Sequence, residues 1–449
     1  MAQRTQRLIE AARRPLPEGT FVVGAGLLIA GVSAYGFQIL TFRALSHSDY
    51  TAVNGLWVLV FILAPGFFLP LEQEVGRALA DRRARGIGGG PVVKRAAFAG
   101  LVLSVALGVV TGAAVLGTPV LDDVFEGSTG LASCVVIAMF TFCVQHLARG
   151  TLSGNARFGS YSLIIGAEGV LRFGACAALF AAGVEKPAYY GLCLALPPAF
   201  AAAIALSREH GLLAPGPAAP WNELSTNLGY LFFGSVSAQV LGYAPFLSAY
   251  ILPTDVTDKQ IGRFVAGLFL ARIPILLFQA VQASLLPKLA SLAGAGRHDD
   301  FRTGLKKLIL VVAGIGAVGV LAGGSLGPPV GEFLFGKKFD LGNIDLALLA
   351  AGSGLFILAL TLAQALIALM GHSRALLAWL VGIAALAAAT AIIENPLFRR
   401  VEIAFIVGSA AAAASMWVLL AARLKAGVPD DDAALARLAE QIEHEPLEI

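Results

Sequence analysis

The sequence predicts an all-α polytopic membrane protein of about twelve transmembrane helices, arranged as two parallel six-helix repeats. Three observations carry this. The chain of 449 residues is 57% hydrophobic and only 14% charged, with a mean hydropathy of +0.78, whereas a soluble chain holds nearer ~25% charge. Apolar runs long enough for a helix to cross a bilayer recur throughout; a membrane barrel is written instead in short alternating segments. Finally, three markers occur twice in the same order. A basic pair, Lys94-Arg95 and then Lys306-Lys307, opens an apolar run. Gly117-Thr118-Pro119-Val120 with Asp122 and Phe125 returns as Gly327-Pro328-Pro329-Val330 with Glu332 and Phe335. Gly154-Asn155-Ala156-Arg157 returns as Gly371-His372-Ser373-Arg374. Duplicated membrane halves are typical of transporters, in which two lobes rock about a central site.

The apolar runs place helices at approximately 19–42, 51–76, 95–117, 129–150, 160–183, 187–207, 224–251, 260–286, 305–327, 344–370, 374–393 and 401–423. Residues 1–18 form a basic N-terminus, with Arg4, Arg7, Arg13 and Arg14 ahead of Pro15 and Pro17. No small-residue cleavage site follows a short apolar core, so this reads as a topology anchor rather than a cleaved signal. The first lobe covers 19–211. A linker rich in proline, glycine and alanine covers 212–222, and the second lobe covers 223–425. The tail, 426–449, changes character: from Asp430 to Glu448 it holds seven acids and one arginine, with Leu435, Leu438 and Ile442 at helical spacing. That pattern predicts a short amphipathic helix open to a docking partner.

Orientation follows from lysine and arginine. Arg77, Arg82, Arg83, Arg85, Lys94 and Arg95 form one basic cluster; Lys288, Arg297, Arg302, Lys306 and Lys307 form another. The intervening loops carry Asp122, Asp123 and Glu126, then Asp255 and Asp258, then Glu332 and Asp340. Both termini are therefore expected on the cytoplasmic side of a bacterial inner membrane. Cys134, Cys143, Cys176 and Cys193 all lie in apolar runs without metal-ligand spacing and read as packing residues. The six histidines, among them His146, fall in or near predicted loops or helix ends and form no cluster.

An ionisable side chain at mid-membrane costs at least ~2.5–3.5 kcal/mol on insertion scales unless a partner or a wet cavity relieves it. Three residues incur that cost. Glu168 and Arg172 lie near the middle of the fifth span, four apart and so on one helix face. Arg272 lies near the middle of the eighth, two residues before Pro274. Glu168 can pair with Arg172 or with Arg272. Arg263, closer to the outer end of span eight, is a further cation open to snorkelling or to the same cavity. Arginine stays charged and its planar fork matches phosphate oxygens, so a cavity lined by Arg172 and Arg272 would attract a pyrophosphate or an acidic sugar. Glu168 would compete with such an anion or take up a proton or sodium ion. Glu72, with Gln73 and Glu74, sits near the cytoplasmic end of span two, where solvated charge is ordinary. It is the second carboxylate available to a coupling ion. Pro65, Pro70, Pro245, Pro274 and Pro287 interrupt spans and predict bends.

In this pattern the chain resembles the multidrug/oligosaccharidyl-lipid/polysaccharide (MOP) exporter superfamily, and within it the Wzx-like polysaccharide flippases. Residues 271–289, from Ala271-Arg272-Ile273-Pro274 to Leu289, look like that family's eighth helix, and Gly296 to Phe301 like its basic loop. Phe333-Leu334-Phe335-Gly336, the stretch Gln364 to Gly371, and Arg43 with Asp49-Tyr50 also fit. The resemblance implies two six-helix lobes, V-shaped around a central cavity. It implies movement of a polyprenyl-pyrophosphate-linked oligosaccharide across the cytoplasmic membrane by alternating access. It adds polysaccharide polymerases or glycosyltransferases as protein partners, and implies no cofactor beyond a coupling ion. Two departures stand out. Span one holds Gln38 and no mid-span carboxylate, unlike the drug-exporting branch. No further membrane-spanning helix is expected after span twelve, unlike the lipid II flippases of that superfamily, which carry two more.

Three other classes compete. A cation-coupled exporter of small molecules of the MATE type would keep the fold. A non-transporting scaffold for envelope assembly would work through its acidic tail. A membrane glycosyltransferase would need Asp122-Asp123 as catalytic acids, yet that pair occupies a repeat position shared with Glu332-Phe333 and reads as a loop cap. No enzyme is expected. Gly86 to Gly90 lacks the lysine-serine ending of a phosphate loop, and no basic module with interleaved aromatics points to nucleic acid.

Overall fold

The computed structural model describes residues 20–221, 228–252, 256–275, 278, 298–336, 339, 341–369 and 371–426. These residues form helices joined by short connections: α1 (Thr20–Ala44), α2 (His47–Ala84), α3 (Gly90–Gly117), α4 (Val120–Phe125), α5 (Thr129–Gly154), α6 (Phe158–Ala181), α7 (Pro187–Ala195), α8 (Pro197–Leu206), α9 (Leu228–Ile251), α10 (Asp258–Ala271), α11 (His298–Phe335), α12 (Asn343–Ala368), α13 (His372–Ile392) and α14 (Leu397–Ala426). With α7 and α8 counted as one span, 11 helical segments among the described residues are long and apolar enough to cross a membrane. The protein is an all-helical, multi-pass membrane protein. The expected eighth span begins as α10. Its continuation, with Gln279, Gln282, Pro287 and the Lys288 and Arg297 of the second basic cluster, lies outside the described residues, as do the N-terminus and the acidic tail after Ala426.

The duplication is visible as pairing. In the first half α1 packs on α6, α2 and α3 pack on α5, and α6 packs on α8. In the second half α9 packs on α13, α10 and α11 pack on α12, and α13 packs on α14. Each partner in one list is the repeat equivalent of its partner in the other. The central contacts between halves run from α2 to α9 and α10. Val102, Val105, Val109 and Val110 on α3, like Leu310, Val318, Leu321 and Leu326 on α11, are exposed. Exposed aliphatics on helices of this length face lipid, where burial brings no hydrophobic gain.

Some helices run through their prolines, and one expected span breaks at them. α2 runs 38 residues and contains both Pro65 and Pro70. α11 likewise continues through Pro328-Pro329, where a loop had been expected after residue 327. Proline 328 leaves the carbonyl four residues earlier without its donor, and the Asn343 side-chain amide donates to that Gly324 carbonyl at 2.8 Å. The expected sixth span instead breaks at Leu196 into α7 and α8, because Pro197 and Pro198 supply no N–H. At the break, Thr141 donates to the buried Ala195 carbonyl at 2.6 Å.

The repeated Gly-Pro-Val markers end alike. The Asp122-Asp123 segment is a short helix, α4, rather than a loop. Phe125 and Phe335 are both almost completely buried, and the residue after each turns into the left-handed region, Glu126 at φ 51° and Gly336 at φ 82°. In both, the turn's N–H closes on the preceding helical turn: Gly127 donates to Leu121 and Gly336 to Glu332.

A cationic cavity between the two halves

The two halves are sealed together at the end bearing the α1–α2 connection. Phe42 meets Tyr50 edge-on at 4.9 Å and Phe335 at 5.3 Å between ring centroids. Arg43, from the first half, donates to the Leu334 and Phe333 carbonyls at 3.0 and 2.9 Å. Those carbonyls belong to the last turn of α11, which has no partners of its own to offer them. Tyr250 donates to the Thr51 carbonyl at 2.7 Å, and Tyr35 to the Phe269 carbonyl at 3.1 Å.

Beneath this seal lies a cavity of about 350 Å³, lined by α1, α2, α5, α6, α9, α10 and Ile275. Its walls are aromatic: Tyr35, Trp57, Phe61, Phe142, Tyr243 and Phe269. Its ionic groups are Arg149, Arg172, Arg272, His146 and Glu168. Small residues on α1, Ala30, Gly31 and Ala34, leave the room that larger side chains would fill.

Each arginine is held differently. Arg172 is 2% exposed and pairs with Glu168 one turn back on α6. The structure thus joins Glu168 to Arg172, not to Arg272. The Arg172 guanidinium lies over the Trp57 and Phe61 rings, at 5.2 and 5.7 Å. Ring faces attract cations more strongly where water is scarce, which offsets part of the desolvation cost of so buried a charge. Arg272 sits at the residue where α10 stops, two residues before Pro274. It donates to the Gly242 carbonyl at 2.8 Å and lies over Tyr243 at 4.2 Å and Phe246 at 5.7 Å. Gly242 lies three residues before Pro245 in α9, which continues through that proline.

Arg263 stands apart. It lies nine residues before Arg272 on α10 and is not among the residues lining the cavity. Glu72 is also not as expected. It is buried, 5% exposed, rather than solvated. His146 Nδ1 lies 2.7 Å from one of its oxygens, while Arg149 at 3.1 Å and the Tyr161 hydroxyl at 2.9 Å hold the other. The reason is topological: α2 continues eight residues beyond its expected end, so Glu72 lies more than three turns inside the helix. His146, expected near a helix end among scattered histidines, is 3% exposed in the body of α5.

Arg149 and His146 are the cavity residues that sequence reasoning missed. The signal was their spacing of three, which puts both on one face of α5. Among the described residues no group of acids, histidines and cysteines is arranged to hold a metal ion.

This arrangement of helices has counterparts. The chain shares its fold with a multidrug-resistance MATE family transporter of the MOP superfamily in an outward-facing conformation, at TM-score 0.70 and 14% identity, covering 92% of this chain and 97% of that one. A MOP superfamily transporter from Pyrococcus furiosus, described by the reverse polarity of its binding pocket, matches at TM-score 0.71 and 12% identity with the same coverage. The fold is that of the MATE transporters, two bundles around a central cleft. In sequence, the uncharacterized protein Rv1510 of Mycobacterium tuberculosis (strain H37Rv) is 29% identical over 400 residues, 85% of this chain and 87% of the relative. Rv3630 of the same organism is 25% identical over 379 residues, 80% of this chain and 81% of the relative. No family model matches the chain.

Proposed function

We propose that the chain is a MOP-superfamily flippase that moves a polyprenyl-pyrophosphate-linked oligosaccharide across the cytoplasmic membrane by alternating access. The observation that carries the reading is the convergence of Arg172 and Arg272, from opposite halves, on one aromatic-walled cavity. A pyrophosphate needs forked donors that remain charged, and flat aromatic faces suit sugar rings with apolar undersides. Because the two arginines come from different halves, an anion between them ties both halves together. Opening the sealed end while the other end closes would then carry the anion through. The prenyl chain can stay in lipid alongside. Glu168, already engaged by Arg172, is the group such an anion would displace and a site for a coupling proton or sodium ion.

A cation-coupled exporter of small molecules is the second reading, favoured by the likeness to MATE transporters. The arginines of the cavity weigh against a cationic cargo. For the scaffold reading, the working part would be the acidic tail, residues 426–449, which beyond Ala426 lies outside the described residues.

The test is depletion of the protein in the organism that carries it, followed by measurement of lipid-linked glycan in the inner leaflet. Accumulation that wild type clears, that a variant lacking residues 426–449 also clears, and that Arg272→Ala does not, is the expected result. Equal clearance by Arg272→Ala overturns the cavity's role. No accumulation on depletion, with extrusion of cationic dyes by the protein, would move the reading to the MATE type.

A further inference from the structure

We propose that Glu72 and His146 form a proton-binding site whose occupancy is linked, through Arg149, to anion binding in the central cavity. The inference rests on the anion reading of that cavity and adds a site behind its wall.

Glu72 is shared. His146 holds one carboxylate oxygen and Arg149 the other, with the Tyr161 hydroxyl bridging Arg149 and Glu72 at 2.9 Å from each. His146 and Arg149 also line the cavity, whereas Glu72 does not. Arg149 thus faces two acceptors, a fixed carboxylate behind it and whatever anion enters in front. The other ionisable groups near this cluster are few. From α2 only Glu72 faces it, and Phe68 lies beside the imidazole. From α6 it meets Tyr161. On α3 the charges are Lys94 and Arg95 in its first turns, with Arg95 stacked on Trp221. α8 has no ionisable side chain, and Cys143, one turn back on α5, packs against Gly100 of α3.

In the empty cavity the Glu72 carboxylate is balanced by Arg149, and a neutral imidazole suffices at His146. When an anion draws Arg149 forward, a buried carboxylate loses its cation. Leaving it so is costly, and the hydrogen-bonded imidazole beside it provides the remedy by taking one proton from water. The proton resides on the His146–Glu72 pair; no other bond forms or breaks. Linkage is reciprocal, so protonation in turn frees Arg149 and tightens anion binding. The sign follows: the anion-bound state holds one proton more, so affinity rises as pH falls.

The experiment uses the full-length protein in lipid nanodiscs. The probe is a short-chain prenyl-pyrophosphoryl sugar, whose phosphodiester groups keep a constant charge over the range tested. Calorimetry at several pH values, in buffers of different ionisation enthalpy, gives affinity and proton uptake together. Wild type is expected to take up close to one proton per probe bound, with affinity rising by up to about tenfold per unit fall in pH. Glu72→Gln, which frees Arg149 permanently, is expected to bind at every pH as wild type does at the lowest. His146→Gln is expected to lose the uptake. Wild-type binding without pH dependence or proton uptake overturns the linkage while leaving the anion reading intact. PH dependence that persists in Glu72→Gln overturns the assignment of the site. No binding at any pH overturns the anion reading, and the linkage with it. The wild-type proton count needs no variant, so a misfolded substitution does not blunt the test.

Discussion

Arg272 illustrates how one residue can be fixed and still available. One of its five donors is spent on the Gly242 carbonyl and its face on Tyr243, so the guanidinium is oriented before any ligand arrives. A lysine keeps the charge but has no plane to stack and no fork. Arg272→Lys is therefore expected to bind the pyrophosphoryl probe more weakly by about 1–2 kcal/mol, the scale of a desolvated cation–π contact, and to restore transport only in part. Calorimetry with purified protein checks the first figure. Arg172 and Arg272 were legible in the sequence because a charge inside an apolar run has to be explained. Arg149 and His146 were not, because α5 ends four residues beyond where its apolar run appears to stop, and a charge near a helix end needs no explanation. Which cation Glu168 pairs with was open for a different reason: spacing of four permits an intrahelical pair but says nothing of what neighbouring helices offer.

At the scale of elements, close approach of helices sets the geometry of the cluster at Glu72. A Cβ on Gly150 of α5 would lie 2.6 Å from the Glu72 carbonyl of α2, and one on Gly154 would lie 2.8 Å from the Gly76 carbonyl. These glycines let α2 and α5 touch backbone to backbone. Gly150→Ala is expected to push the helices apart, lowering stability by about 1–3 kcal/mol as overpacking does and weakening the Glu72–His146 contact. Thermal unfolding in detergent reads the first effect, and the proton count reads the second. The repeated turns make a second prediction. Glu126 occupies a left-handed conformation that its repeat equivalent meets with Gly336. An L-residue with a Cβ pays about 1–2 kcal/mol there. Glu126→Gly is accordingly expected to raise the unfolding temperature slightly, and Gly336→Ala to lower it. The sequence echo located these turns; it did not reveal that one of the pair is strained, since backbone angle is not written in residue type outside glycine.

At the scale of the molecule, closure at one end depends on few polar contacts. Arg43 caps the last turn of α11 across the two halves, while Phe42, Tyr50 and Phe335 supply the apolar layer. Removing the cap leaves two carbonyls to water and loosens the closed state without touching the cavity. In an Ala34→Cys background, Arg43→Ala is expected to increase labelling by a membrane-impermeant maleimide applied from the side of the α1–α2 connection. Unchanged labelling would mean that the aromatic layer alone closes that end.

The sequence by itself determined that this chain is a membrane protein, that its two halves repeat in parallel, and that Glu168, Arg172 and Arg272 fall within apolar spans. Those properties rest on hydropathy and on order along the chain, which are local and countable. It also located the prolines, but not which of them a helix would pass through, because that depends on whether a neighbour such as Asn343 can satisfy the freed carbonyl. Tertiary structure alone decided that Arg172 and Arg272 face the same space, that Arg263 does not, and that Glu72 is buried beside His146 and Arg149. Each of these is a relation between helices far apart in sequence, fixed by packing angle and approach distance, and no spacing within a single helix encodes it.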